Sequence, residues 1–124
     1  MTTRERSLGD RGEAFACKYL ERKGLKLVER NFHAQGGELD LIMHDKNLDE
    51  YVLVEVKTRT SDRFGTGLEA ITQSKLEKML RAAEDFFVKK LDLEQIPFFR
   101  IDAVIVTVKK GVPEVEHYVG VGGE

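Results

Sequence analysis

The stretch Tyr51-Val52-Leu53-Val54-Glu55-Val56-Lys57 constrains this chain more than any other. It is rich in β-branched and large apolar residues, which fit a pleated strand. Side chains alternate across a strand, so Val52, Val54 and Val56 share one face while Leu53, Glu55 and Lys57 share the other. The valine face belongs in a core. Glu55 and Lys57 then sit side by side, roughly 6.5–7 Å apart along the strand. Two opposite charges at the end of so apolar a strand cost desolvation unless something uses them.

The rest of the chain supplies the elements that such a strand needs. From Ser7 to Lys23, Leu8, Phe15, Ala16, Tyr19 and Leu20 recur at helical spacing, with Ser7 as the expected cap and Gly24 as the stop. Leu25 to Asn31 reads as a short strand. After the turn signal Gly36-Gly37, Glu38 to His44 forms a strand separated from Tyr51–Lys57 by the hairpin loop Asp45-Lys46-Asn47. Arg59 to Gly67 is a loop. Ile71, Leu76, Met79, Leu80, Ala83, Phe87 and Leu91 mark a longer amphipathic helix from Glu69 to about Leu91, and Pro97 keeps the next segment non-helical. Phe98 to Val108 is a strong strand, and Val115 to Val119 a last edge strand after the turn at Gly111 and Pro113. The order α-β-β-β-α-β-β predicts an α/β fold, with a mixed central sheet flanked by helices.

At 124 residues the chain fits one domain spanning 1–124, with a core over about 7–110 and a C-terminal edge strand and tail over 111–124. Its 41% apolar and 34% charged residues describe a globular body with a charged exterior. Cys17 is the sole cysteine, so no intrachain disulfide forms and a reducing compartment is expected. The charged start Arg4-Glu5-Arg6 is no signal peptide, and no run approaches the ~20 apolar residues of a membrane span. Cytoplasm is the expected location. A net charge of −2 argues against a passive coat for nucleic acid, yet it is compatible with an enzyme that gathers its basic residues on one face.

In the hairpin, the start of the strand Glu38–His44 lies beside the end of Tyr51–Lys57. That brings Asp40 near Glu55 and Lys57, with Glu38 on the same face as Asp40. Two carboxylates a few ångströms apart repel unless one holds a proton or a cation sits between them. Mg²⁺ is the hard, oxygen-loving cation for such a pair; it orients a water and neutralises charge building on a phosphodiester. On these residues alone, a surface salt-bridge triad is the better account.

A longer series adds to this. Gly12-Glu13-Ala14, Tyr19-Leu20 to Gly24, Arg30-Asn31, Gly37-Glu38-Leu39-Asp40-Leu41-Ile42, Val54-Glu55-Val56-Lys57-Thr58-Arg59, Phe64-Gly65, Lys75 and Arg100-Ile101-Asp102 occur in that order. From about Gly9 to Val106 the chain resembles the YraN family of small predicted endonucleases, which is related to the archaeal Holliday junction resolvases and the PD-(D/E)xK nucleases. The resemblance implies a restriction-endonuclease-like fold and cleavage of DNA, rather than RNA, with Mg²⁺ or Mn²⁺, branched DNA included. It assigns Asp40 and Glu55 to the metal, with Glu13 as an additional acidic residue and the Val56 carbonyl as a further ligand. Lys57 becomes the motif lysine that assists the attacking water. Leu39-Asp40 stands where the motif's name has Pro-Asp, and Ile101 stands where an aromatic residue is more usual.

Arg59 and Lys75 are the expected phosphate contacts. Arg63, Lys78 and Arg81 are read as charged surface, and Arg100 and Asp102 as a structural pair. The scattered His33, His44 and His117 give no zinc pattern. A serine-nucleophile elbow and an NTPase phosphate loop are both missing. Phe86-Phe87 and Phe98-Phe99 are read as core. Cutting both strands of a duplex asks for two sites, so a homodimer, pairing through an edge strand or the Phe64-Gly65 loop, is consistent with one site per chain. Two other readings stay open: a non-catalytic nucleic-acid-binding module in a larger assembly, and an interaction protein with a charged edge.

Overall fold

The computed structural model describes residues 3–60 and 71–122. Helix α1 (Thr3–Arg22) precedes three strands, β1 (Leu25–Ala34), β2 (Gly37–Asp45) and β3 (Glu50–Arg59). Helix α2 (Gln73–Glu84) runs on as a π-helical segment over Asp85–Lys90, and β4 (Phe99–Lys109) and β5 (Val112–Tyr118) complete the chain. The sheet order is β1-β2-β3-β4-β5, antiparallel except for the parallel β3–β4 pair. A parallel pair needs a crossover, and α2 lies within it. The expected mixed sheet is therefore present. No described helix is long and apolar enough to cross a membrane.

Helices cover both faces. Ala16, Cys17 and Leu20 of α1 pack on Leu41, Met43, Val52, Val54, Val56, Val104 and Val106. Met79, Ala82, Ala83, Phe86 and Phe87 pack on Leu39, Ile42, Leu53 and Ile101. β3 is thus buried on both sides, and its second face is core rather than a half-exposed surface.

Several expected boundaries move. α1 begins at Thr3, which places Ser7 inside the helix and not at its cap. Its end matches expectation: Gly24 takes φ +98°, and the Lys23 and Gly24 amides bond back to Leu20 and Glu21. Thr72 caps α2, its hydroxyl accepting the Lys75 N–H at 3.1 Å. Glu69, where this helix was expected to start, lies outside the described residues, as do Arg63 and Phe64-Gly65. Near its other end the helix loosens: the Leu91 amide bonds five residues back, to Phe86. Both adjacent phenylalanines, Phe86 and Phe87, are buried. They meet Phe32 and Tyr51 edge-on at 5.2 and 5.0 Å between ring centroids. Phe99 joins this cluster, whereas Phe98 is 84% exposed and is not core.

The feature that makes the site is a split between β2 and β3. Their pairing runs from Asp45↔Glu50 to Leu41↔Val54 and goes no further, while β2 stays paired with β1 as far as Gly37. At the same point β2 loses strict alternation. Leu41 and Met43 pack under α1, but Leu39 packs under α2. Asp40 lies at the break.

Candidate active site

Asp40 replaces the missing ladder bond with its side chain: Oδ2 accepts the Val56 N–H at 2.8 Å. The N–H and C=O of a strand residue point toward the same neighbour, so the Val56 carbonyl faces the same gap. One residue earlier on β3, Glu55 turns its side chain under α2 and is only 9% exposed. The hairpin therefore brings Asp40 and Glu55 together, as the sequence register implies. They share a cleft of about 380 Å³ with Glu13, Glu38, Lys57 and Lys75.

Glu13 reaches this cleft because α1 lies unusually close to β3. A Cβ on Gly12 would come within 2.9 Å of the Thr58 Cβ and overlap its hydroxyl. Only the missing side chain of Gly12 allows that approach. On the far side, Gly37 does the same for α2, since a Cβ there would collide with the Lys78 carbonyl. The turn signal Gly36-Gly37 is thus also a packing requirement.

Burial and mutual repulsion push the carboxylates of this cleft toward their protonated form. Burial, followed by the charges of Asp40, Asp10 and Glu38, raises Glu13 from 4.5 to about 7. Burial and the neighbouring Asp40 raise Glu55 from 4.5 to about 8, against the pull of Lys75. Asp40 is also raised by burial, although the Val56 N–H works in the opposite direction. Glu55 has one cationic partner, Lys75, whose Nζ lies 3.3 Å from Oε2. Its other oxygen, Oε1, is buried with no hydrogen-bond partner among the described residues. Lys57 is exposed and has no ion pair among them.

These facts test whether a divalent cation fits. Among the described residues no three His, Cys, Asp or Glu side chains converge as a complete metal cage. Mg²⁺ asks for less, typically one or two carboxylates with waters and a substrate phosphate. Two mutually repelling carboxylates, one with an orphaned buried oxygen, fit that requirement.

The expected phosphate contacts are placed differently. Lys75 is engaged with Glu55. Arg59 turns toward β4 and β5, donating to Thr107 Oγ1 at 3.3 Å and lying 3.9 Å from Glu116. Glu38 is exposed and pairs with His33 at 3.2 Å. The surface triad expected as the alternative is not what forms, because Glu55 is buried and its partner is Lys75, not Lys57.

Arg100 and Asp102 do pair, at 3.0 Å, within a separate network. Asp102 is fully buried and also accepts His117 Nε2 at 2.8 Å and the Gly120 N–H at 3.0 Å. Burial opposes its ionisation, but the bonds from His117, Gly120 and Arg100 prevail and hold it below its ordinary 3.8. An aspartate inside the apolar run Ile101–Val106 was the sequence signal for this network. The Lys75–Glu55 pair had no such signal.

The model of the uncharacterised protein family UPF0102 matches residues 12–106. A UPF0102 protein of Geobacter metallireducens is 38% identical over 117 residues, covering 94% of this chain and 93% of its own. One of Syntrophomonas wolfei is 40% identical over 114 residues, covering 92% and 96%. One of Herpetosiphon aurantiacus is 33% identical over 121 residues, covering 95% of each. The chain belongs to the UPF0102 family.

Proposed function

We propose that this UPF0102 chain is a metal-dependent endonuclease that hydrolyses DNA phosphodiester bonds, branched DNA included, on a restriction-endonuclease-like scaffold. One observation carries the reading. At the split between β2 and β3, a buried glutamate faces a second carboxylate in a cleft that Lys57 also lines, and among the described residues one glutamate oxygen has no hydrogen-bond partner and Lys57 no ion pair. Asp40 and Glu55 would hold Mg²⁺ or Mn²⁺, with the Val56 carbonyl as a further oxygen donor and Glu13 as an additional acid in the same cleft. Bound there, the cation supplies Lewis-acid stabilisation of phosphoryl charge and a more acidic water.

The chain's own residues do the rest. The Val56 N–H fixes the Asp40 carboxylate through Oδ2, so Oδ1 is the oxygen left to bind. Lys57 orients the attacking water or offsets charge on the phosphoryl oxygens, and its exposure leaves room for substrate. Glu13, raised to about 7, is poised to exchange a proton near neutral pH. A homodimer joined through edge strand β1 or β5 would present two such sites to the two strands of a duplex.

The test is cleavage of linear, flapped and four-way-junction DNA with Mg²⁺ or Mn²⁺ by wild type, Asp40→Asn and Lys57→Ala. The expected result is metal-dependent cutting by wild type alone. DNA binding without cutting would replace the nuclease with a binding module. Cutting that survives both substitutions would refute the assigned site.

A further inference from the structure

Among the described residues Lys75 is the basic residue that pairs with Glu55, at the buried end of the carboxylate pair. Its side chain is 31% exposed and that of Glu55 is 11% exposed, so the contact is shielded more than a surface pair. Asp40 and Glu38 also favour its charge. The ammonium touches Glu55 Oε2, while Oε1 has no partner. A single monovalent charge thus stands in for the cation that two carboxylates call for, and leaves one oxygen unsatisfied.

Lys75 also lies on a boundary. It lines the carboxylate cleft and a larger polar cleft of about 580 Å³, bordered by Thr72, Ser74, Lys78 and the β1–β2 turn. Lysine is a point charge on a flexible four-carbon stem, so the ammonium can leave Glu55 for this second cleft without moving α2. We propose that Lys75 is a built-in counter-cation of Glu55 that a divalent ion must displace, so that metal loading and the position of Lys75 exclude one another. This positioning role rests on the metal reading above.

The sign of the effect follows from charge. An ammonium repels a divalent ion twice as strongly as it repels a proton at the same place. Removing it therefore favours the metal even where a proton competes for Glu55. The change Lys75→Met keeps the stem and removes the charge, and Lys75→Arg keeps the charge.

The experiment is calorimetric titration of the full chain with Mg²⁺, and with Mn²⁺ followed by its paramagnetic resonance signal, at pH 8 without DNA. Lys75→Met should bind about tenfold tighter than wild type, Lys75→Arg about as wild type, and Glu55→Gln far more weakly than either. Equal or weaker binding by Lys75→Met, with wild type binding measurably, would overturn the counter-cation role and leave the metal site standing. No binding by wild type or either lysine variant would overturn the metal reading itself, and this inference with it.

Discussion

The most informative perturbation is Glu55→Gln, read as stability against pH in the absence of metal. In the folded chain Glu55 is raised from 4.5 to about 8 and Glu13 from 4.5 to about 7. Both groups keep a proton in the native state over a range where the unfolded chain has lost it. Stability is then highest at or below the unfolded value near 4.5 and falls as pH rises toward the folded values. Each such proton changes stability by about 1.4 kcal/mol per pH unit. Between pH 5 and 7 the two groups together set a ceiling of roughly 5 kcal/mol. Partial exposure of Glu13 and compaction of the unfolded chain reduce this to about 2–3 kcal/mol. Glutamine fills the same space and cannot ionise. It removes the share due to Glu55 and leaves that of Glu13, whose perturbing charges do not include Glu55. The partner lost by half-exposed Lys75 is worth under about 1 kcal/mol. The two stability curves should therefore cross: Glu55→Gln no more stable than wild type at pH 5, and more stable by about 1–2 kcal/mol at pH 8.5. Urea unfolding followed by circular dichroism in chelator from pH 5 to 8.5 measures both curves. Parallel curves, or a wild type that gains stability over this range, would refute the reasoning. Mg²⁺ at about a hundred times its Kd should then return about 2.7 kcal/mol to wild type and little to Glu55→Gln.

Gly12→Ala should cost about 1–3 kcal/mol and loosen the metal site, because the new Cβ pushes α1 away from Thr58; the double variant with Thr58→Ala should recover part of the loss in thermal melts. Asp102→Ala should cost about 3–5 kcal/mol, since it strips His117 Nε2 and the Gly120 N–H of their acceptor around a buried hole and leaves Arg100 with Glu50 and Asp45. The lowered pKa of Asp102 contributes stability that is present above its unfolded value and lost as pH falls through the folded one. Asp102→Asn should therefore flatten the acid limb of the unfolding curve below about pH 4. Lys57→Ala should leave stability within about 0.5 kcal/mol, being an exposed residue. In the cleavage assay it should slow cutting by at least about a hundredfold, and a fully active Lys57→Ala would remove this lysine from the mechanism.

Much of this was legible because the deciding signals were local. Alternation along Val52, Val54 and Val56 identified the central strand, and the Asp45–Asn47 break identified the hairpin that carries Asp40 to Glu55. What escaped depended on contacts distant in sequence. Spacing by two put Glu38 and Asp40 on one face, but the split of β2 from β3 upsets alternation between Leu39 and Leu41. Periodicity described the face of α2 without saying which of its lysines the sheet would claim. Lys75 was claimed by Glu55, and Arg59 was drawn to Thr107 rather than to solvent. Adjacent phenylalanines at 86 and 87 did carry an overlooked warning. A regular helix turns two neighbours about 100° apart, so burying both favours the locally widened turn that the π-segment provides.

The two buried acids of the sheet give the strongest reason for placing chemistry where we do. Asp102 and Glu55 lie on adjacent parallel strands, one facing α1 and the other α2, and both are removed from water. Asp102 receives three donors and is lowered. Among the described residues Glu55 receives one lysine and keeps an oxygen without a partner, and beside Asp40 it is raised. Burial alone cannot account for the difference, since both acids bear it. A fold that needed only a stable polar contact at the end of β3 would have supplied donors there, as it does one strand away. Instead it leaves an ionisable oxygen without a partner among the described residues, in the cleft it shares with Asp40, and that contrast is the ground for the cation site proposed above.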